Sequence, residues 1–205
     1  MHPFILPIVL FLLFWSATAA ALSPFQAGYE FRINGMVLGE TTFNLSREND
    51  NRWIYSSSTR PMGILVGIQR DRKERSIFVL HKGYPQPLEF QGRDGLRSKP
   101  REGFLHFDWN AGTISGTWNS QPWQAPLEGV VHDPLTYQLA IMFDLEKEKQ
   151  VLNYLVAEDA KIKSYHFQIA GKEILQTPVG QFDTLRVERI QDSDKRQTIL
   201  WCAPI

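Results

Sequence analysis

Most apolar positions along this chain recur at every second residue. Ala27, Tyr29, Phe31 and Ile33 alternate with Gly28, Glu30, Arg32 and Asn34, the pattern of a strand with one buried face. Asn34-Gly35 comes next. A two-residue hairpin turn needs positive φ at both central positions, and Asn-Gly tolerates that best. A return strand is expected over residues 36–45, with Val37, Phe43 and Leu45 on one face. The polar cluster 47–51 turns the chain, and Trp53, Tyr55 and Thr59 mark a third strand. Leu105, Phe107 and Trp109 alternate with His106 and Asp108. Beyond Asn110-Ala111-Gly112, Ile114 and Trp118 resume the alternation, so this stretch reads as a second hairpin. Tyr165, Phe167 and Ile169 form a later strand that Gly171-Lys172 is expected to turn. Leu185 and Val187 belong to another strand, and Ile199 and Trp201 to the last.

One segment changes period. Asp133 suits a helix N-cap and Pro134 the first helical position, where its missing N–H is not needed. Leu135, Leu139, Met142 and Phe143 follow at helical spacing, and Lys147 and Lys149 suit the negative end of the helix dipole. A short helical turn is also expected over residues 63–68. Roughly ten strands and one helix specify a mainly β fold. The expected form is a curved antiparallel sheet or half-open β-barrel with one α-helix packed on its concave face.

The first 21 residues do not belong to that pattern. An uncharged apolar run over residues 4–15, broken by Pro7, is followed by Ser16, Ala17, Thr18, Ala19, Ala20 and Ala21. The run is too short to span a bilayer, which takes about 20 apolar residues. Residues 1–21 read as a cleaved signal peptide, with an uncleaved N-terminal anchor as the alternative. A periplasmic or secreted destination follows, with no membrane span after cleavage. Residues 22–205 are then a single β-rich domain, a length that buries a core without staples.

Charge and composition remove several function classes. The 22 basic and 22 acidic side chains cancel, so the basic footprint of a nucleic-acid binder is missing. The single cysteine, Cys202, allows neither an internal disulfide nor a multi-cysteine metal site, and beside Trp201 it reads as a small buried hydrophobe. The sequence contains no nucleophile elbow, zincin helix, phosphate loop or dinucleotide fingerprint. His81, His106, His132 and His166 are too far apart in sequence to form a local metal pair. No metal, cofactor or catalytic residue is therefore expected.

Four constellations remain as candidates. His106 and Asp108 share a strand face and would carry a hydrolase reading. Arg70 and Arg72, in the cluster Arg70-Asp71-Arg72-Lys73-Glu74-Arg75, would contact a phosphate or carboxylate. The plainer reading of that cluster is a solvated edge strand whose mixed charges block pairing. Trp109, Trp118 and Trp123 offer an aromatic platform or ordinary core. Tyr29, Phe31, Tyr165 and Phe167 would line a cavity if the helix left the concave face open, and would be core if it filled that face.

The ordered run of Tyr29-Glu30-Phe31, Asn34-Gly35, Leu38-Gly39, Arg70-Asp71-Arg72, Phe107-Asp108-Trp109 and Asp133-Pro134-Leu135 is joined by Thr177-Pro178-Val179-Gly180, Leu185-Arg186-Val187-Glu188-Arg189 and Leu200-Trp201. Over residues 25–204 it resembles the bacterial envelope family catalogued as domain of unknown function 3108. The resemblance implies an exported, mainly β domain with no agreed activity and no catalytic residues to carry over. It also implies one more turn and strand after Ala203-Pro204, so the last strand is expected to be missing here and Cys202 to end an open edge. The expected function is non-enzymatic binding of a lipid-like molecule or an envelope protein. A hydrolase of envelope polymers and an assembly partner that uses an open sheet edge are the alternatives.

The small-residue pattern carries a direct test. N-terminal sequencing of envelope-fraction protein should begin after Ala19 or Ala21, whereas an intact Met1 on membrane-bound material would contradict export by cleavage.

Overall fold

The computed structural model describes residues 22–33, 36–67, 69–95, 101–190 and 198–203, without the side chains of residues 31–33. The expected signal segment, the Asn34-Gly35 turn and the last two residues lie outside these.

An eight-stranded antiparallel meander comes first, its strands neighbouring one another in chain order. It comprises β1 (Phe25–Ile33), β2 (Met36–Arg47), β3 (Arg52–Pro61), β4 (Arg72–His81), β5 (Tyr84–Arg93), β6 (Glu102–Asp108), β7 (Thr113–Trp118) and β8 (Gln121–Pro126). The first hairpin brings Ile33 opposite Met36, as the Asn-Gly signal requires. A 3₁₀ turn at Gly63–Gly67 occupies the place where a helical turn was expected. The second part runs β9 (Val131–His132), α1 (Thr136–Glu146), β10 (Leu152–Glu158), β11 (Lys161–Thr177), β12 (Gly180–Ile190) and β13 (Ile199–Cys202). Its five strands form a separate sheet in the order β13-β12-β11-β10-β9. β9 pairs with β10 in parallel, and the other neighbours are antiparallel. The fold is thus mainly β with one α-helix, but the strands divide between two sheets and no barrel closes. Among the described residues no helix is long and apolar enough to cross a membrane.

The core follows from strand alternation. One cross-strand row of the large sheet reads Leu45, Tyr55, Ser76, Phe90, Leu105, Gly116 and Trp123. Leu45, Tyr55, Phe90 and Leu105 are buried in the main cluster together with Phe78, Phe107 and Ile114. Burying such apolar side chains contributes about 1.5–3 kcal/mol each. A register shift between Ile77 and Phe78 rotates the strand locally and buries both residues.

Helix α1 lies on this inner face against β5 and also meets β10. Leu135, just before it, and Leu139 join the large-sheet core, with Met142 packed at its margin. Ala140 and Ile141 enter a second cluster with Leu152, Tyr154, Val156, Tyr165, Phe167 and Val187. A helix packed on two sides is apolar on both, which is why it shows no single stripe.

Two expectations need correction. Gly171-Lys172 does not turn the chain, because β11 continues to Thr177 and the reversal falls at Pro178-Val179. Gly171 instead takes φ 150° at a register shift between β11 and β12, so the glycine marks a bulge. The charge cluster is not an edge strand either. β4 lies between β3 and β5, so its mixed charges do not guard an edge.

Candidate functional site

The polar chemistry of the molecule gathers where α1 enters between the sheets. Asp133 is fully buried. Its Oδ1 accepts hydrogen bonds from the backbone N–H groups of Leu135 and Thr136, both at 2.8 Å. Its own N–H donates to the Thr136 hydroxyl at 3.0 Å. These bonds satisfy N–H groups at the entry to α1 that would otherwise be orphaned, although the helix begins at Thr136 with Leu135 in the cap position, two residues later than the sequence suggests. Its Oδ2 accepts a 2.5 Å bond from the Ser76 hydroxyl on β4, which ties the helix to the middle of the large sheet. Burial raises the Asp133 carboxyl to about 6, against the hydrogen bonds that favour its charge.

His132, the preceding residue, is also buried and packs edge-on against Tyr154, with ring centroids 5.9 Å apart. Its Nδ1 has no hydrogen-bond partner among the described residues. Burial lowers the imidazole to about 4, although Asp144 opposes the change. The Asp144 carboxylate accepts the Tyr154 hydroxyl at 2.9 Å and pairs with Lys149 at 2.7 Å. Burial, with Asp144 beside it, also raises the Tyr154 phenol.

A second polar group lies along the seam between the sheets. Glu74 accepts Arg72 Nη2 at 2.6 Å and the Ser57 hydroxyl at 3.0 Å. Across the seam, Glu158 accepts the Tyr165 hydroxyl and, at 2.9 Å, Lys163. Arg189 stacks over the Tyr165 ring at 3.4 Å. Burial pushes the Tyr137 phenol to about 12, with Glu158 adding to the effect. Behind the seam lies a cavity of about 70 Å³, bounded by Phe90, Leu105, Trp118, Trp123, Pro134 and Glu158.

The residues singled out in the sequence are dispersed. Tyr165 and Phe167 come together with Tyr137 and Tyr154 in the second core cluster, with ring centroids 5.4–6.4 Å apart. Tyr29 is on the other sheet, 60% exposed, with its edge against Phe43. Phe31 lies in β1, and its side chain is outside the described set. Arg72 is engaged by Glu74, while Arg70 precedes β4 and is exposed. His106 is exposed on β6. Asp108 spends its Oδ1 on the N–H groups of Asn110 and Ala111, which shapes the β6–β7 turn. Trp109 bonds the Pro87 carbonyl at 2.7 Å from the margin of the core. Cys202 packs against the second cluster, where burial raises its thiol to about 11. No group of three His, Cys, Asp or Glu side chains suited to a metal forms among the described residues.

The geometry is that of a packed, polar-seamed β protein. The sequence model of a family described as proteins of unknown function, DUF3108, matches residues 25–205. The chain belongs to the DUF3108 family. No curated protein matches it in sequence. Among solved structures, a β-barrel-like protein of the unknown-function domain DUF1849 from Brucella abortus is similar in fold. It is 11% identical, with a TM-score of 0.52 over 88% of this chain and 87% of that one. Identity this low speaks to fold alone.

Sequence reasoning about this DUF3108 chain gave no site role to Ser76, Tyr137, Glu158 or Arg189, and met Glu74 only as a member of the charge cluster. Only Ser76 leaves a readable trace, as a polar residue next to the apolar run Ile77-Phe78-Val79-Leu80 of β4.

The two displaced acidities make opposite contributions to stability. Asp133 titrates higher folded than unfolded, so its contribution is fully present below about 4 and is lost as pH rises through about 6. His132 titrates lower folded than unfolded, so its contribution is present above about 6.5 and is lost as pH falls towards about 4. Each displacement corresponds to roughly 3 kcal/mol, so the two nearly cancel between these limits. Denaturant unfolding from pH 4 to 7 should show Asp133→Asn losing stability on acidification more steeply than the parent chain. His132→Gln should gain stability on acidification relative to it. Parallel curves for all three proteins would contradict these assignments.

Proposed function

We propose that this DUF3108 chain is an exported, non-enzymatic protein of the cell envelope, periplasmic or secreted, that engages a protein partner through the β11–β12 ribbon. The observation that carries this reading is the far end of the ribbon. From Ile174 to Asp183 the two strands pair only with each other among the described residues, since β13 stops at Leu185 and β10 at Phe167. The free part projects about 13 Å at the usual strand rise. It carries Ile174 at 60% exposure and Val179 at 85%, with Leu175 directly opposite Phe182 and both partly exposed. Apolar side chains on an unpaired ribbon suit strand addition or docking to a partner.

The lipid-like ligand has less support. Sites for small molecules usually enclose about 300–1,000 Å³, and the cavity behind the seam is far smaller. Tyr165 and Phe167 are already in contact with other core rings.

Photocrosslinking in living cells tests the partner reading. A photoreactive residue at Val179 of the full chain should give one discrete adduct in the envelope fraction, while the same residue at Lys161 should give none. The adduct should disappear on adding Ile174→Asp and Phe182→Asp, with the unfolding midpoint unchanged. A folded protein that gives no adduct, or an adduct indifferent to those substitutions, would refute the proposal.

A further inference from the structure

The outer face of the large sheet carries a second surface, separate from the ribbon and independent of the reading given to it. Residues next to an inner-face position along a strand point to the opposite side. One outer row, beside the buried row through Ser76, reads Ser56, Arg75, Gln91, Phe104 and Thr117 across five strands. The next outer row reads Ser58, Lys73, Arg93 and Glu102. Together the rows bound an open groove of about 710 Å³. Five adjacent strands make it about 19 Å long.

Its chemistry is specific in three respects. Lys73, Arg75 and Arg93 are exposed and make no ion pair among the described residues. Lys73 and Arg93 stand directly opposite each other, and two like charges so placed repel unless an anion joins them. Glu102, opposite Arg93, offsets one of the three positive charges. Around the cations, Ser56 and Ser58 on β3, Gln91 on β5 and Thr117 on β7 offer hydroxyl and amide groups that both donate and accept. Phe104, 41% exposed and flanked in its row by Gln91 and Thr117, presents an apolar ring.

We infer that this groove binds a linear glycan carrying anionic substituents. The cations hold the substituents, the hydroxyl and amide side chains meet sugar hydroxyls, and Phe104 packs against the apolar face of a sugar ring. A ligand read by charge alone would have no use for the Ser, Gln, Thr and Phe positions.

Calorimetric titration of the purified protein decides the matter, with dextran sulfate and polygalacturonate as charged glycans, dextran as the uncharged one and polyphosphate as a polyanion without sugar. Saturable binding of the charged glycans, weakened by added salt, is expected. Lys73→Gln with Arg75→Gln should weaken it about tenfold, a modest effect for two close charge contacts. Phe104→Ser should weaken glycan binding several-fold while leaving its salt dependence unchanged. Dextran should bind poorly, and polyphosphate should be insensitive to Phe104→Ser. The inference fails if neither charged glycan saturates the protein, or if the double substitution changes nothing. It also fails if polyphosphate binds as tightly as the glycans and Phe104→Ser affects neither.

Discussion

The helix that bridges the two cores is held at its entry by one fully buried carboxylate. Asp133 closes the N-terminus of α1 and accepts the Ser76 hydroxyl from the middle of the large sheet. A helix entering a core brings unpaired N–H groups with it, and leaving them dry would cost about 1–3 kcal/mol each. Asp133 satisfies two of them and fixes the approach of the helix with its second oxygen. Ser76 stands in an otherwise apolar row, between Tyr55 and Phe90, because the carboxylate needs a donor there. With the helix held at that point, Leu135 and Leu139 complete the core of one sheet and Ala140 and Ile141 that of the other.

The surfaces available for recognition follow from that arrangement. The inner face of the large sheet is occupied by the helix and by residues of β9 and β10, including Val131 and Ala157. The rings of Tyr165 and Phe167 serve the second core, and the polar seam is satisfied internally by Arg72 with Glu74 and by Tyr165 and Lys163 with Glu158. Two outward-facing surfaces among the described residues suit recognition, the far end of the β11–β12 ribbon and the cationic groove across β3 to β7. The two differ in chemistry. Ile174, Leu175, Val179 and Phe182 suit a protein surface, whereas Lys73, Arg75 and Arg93 set among hydroxyl side chains suit a charged, hydroxyl-rich ligand.

Much of the fold can be read from local pattern. Period-two alternation locates the hairpin strands, and Asp133-Pro134 places the helix start to within two residues of Thr136, because these signals depend only on neighbours in sequence. The failures have a common source in non-local pairing. Gly171 looks like a turn residue, but the partner strand carries the chain on to Thr177, and the Pro178 and Gly180 spacing of a type I turn marks the true reversal. The charges of β4 look like an edge device until two neighbours are known to flank the strand. Tyr29 and Tyr165 occupy equivalent positions in their strand patterns, yet one is 60% exposed and the other buried, because Tyr165 packs against Tyr137 of α1 whereas Tyr29 meets Phe43 of the neighbouring strand. The site was less legible still. Glu158 and Arg189 lie on the small sheet and Glu74 on the large one, so their common approach to Tyr137 depends on how the two sheets pack.

The central claim is that Asp133 and Ser76 act together to lock the helix between the sheets, and a double-mutant cycle measures this directly. Urea unfolding of the parent chain, Asp133→Ala, Ser76→Ala and the double variant gives the coupling free energy between the two side chains. The account predicts a coupling of about 1.5–3 kcal/mol, the range for a hydrogen bond to a charged group. Additive effects, within about 0.5 kcal/mol of zero coupling, would show that the helix is held by apolar packing alone and would contradict it.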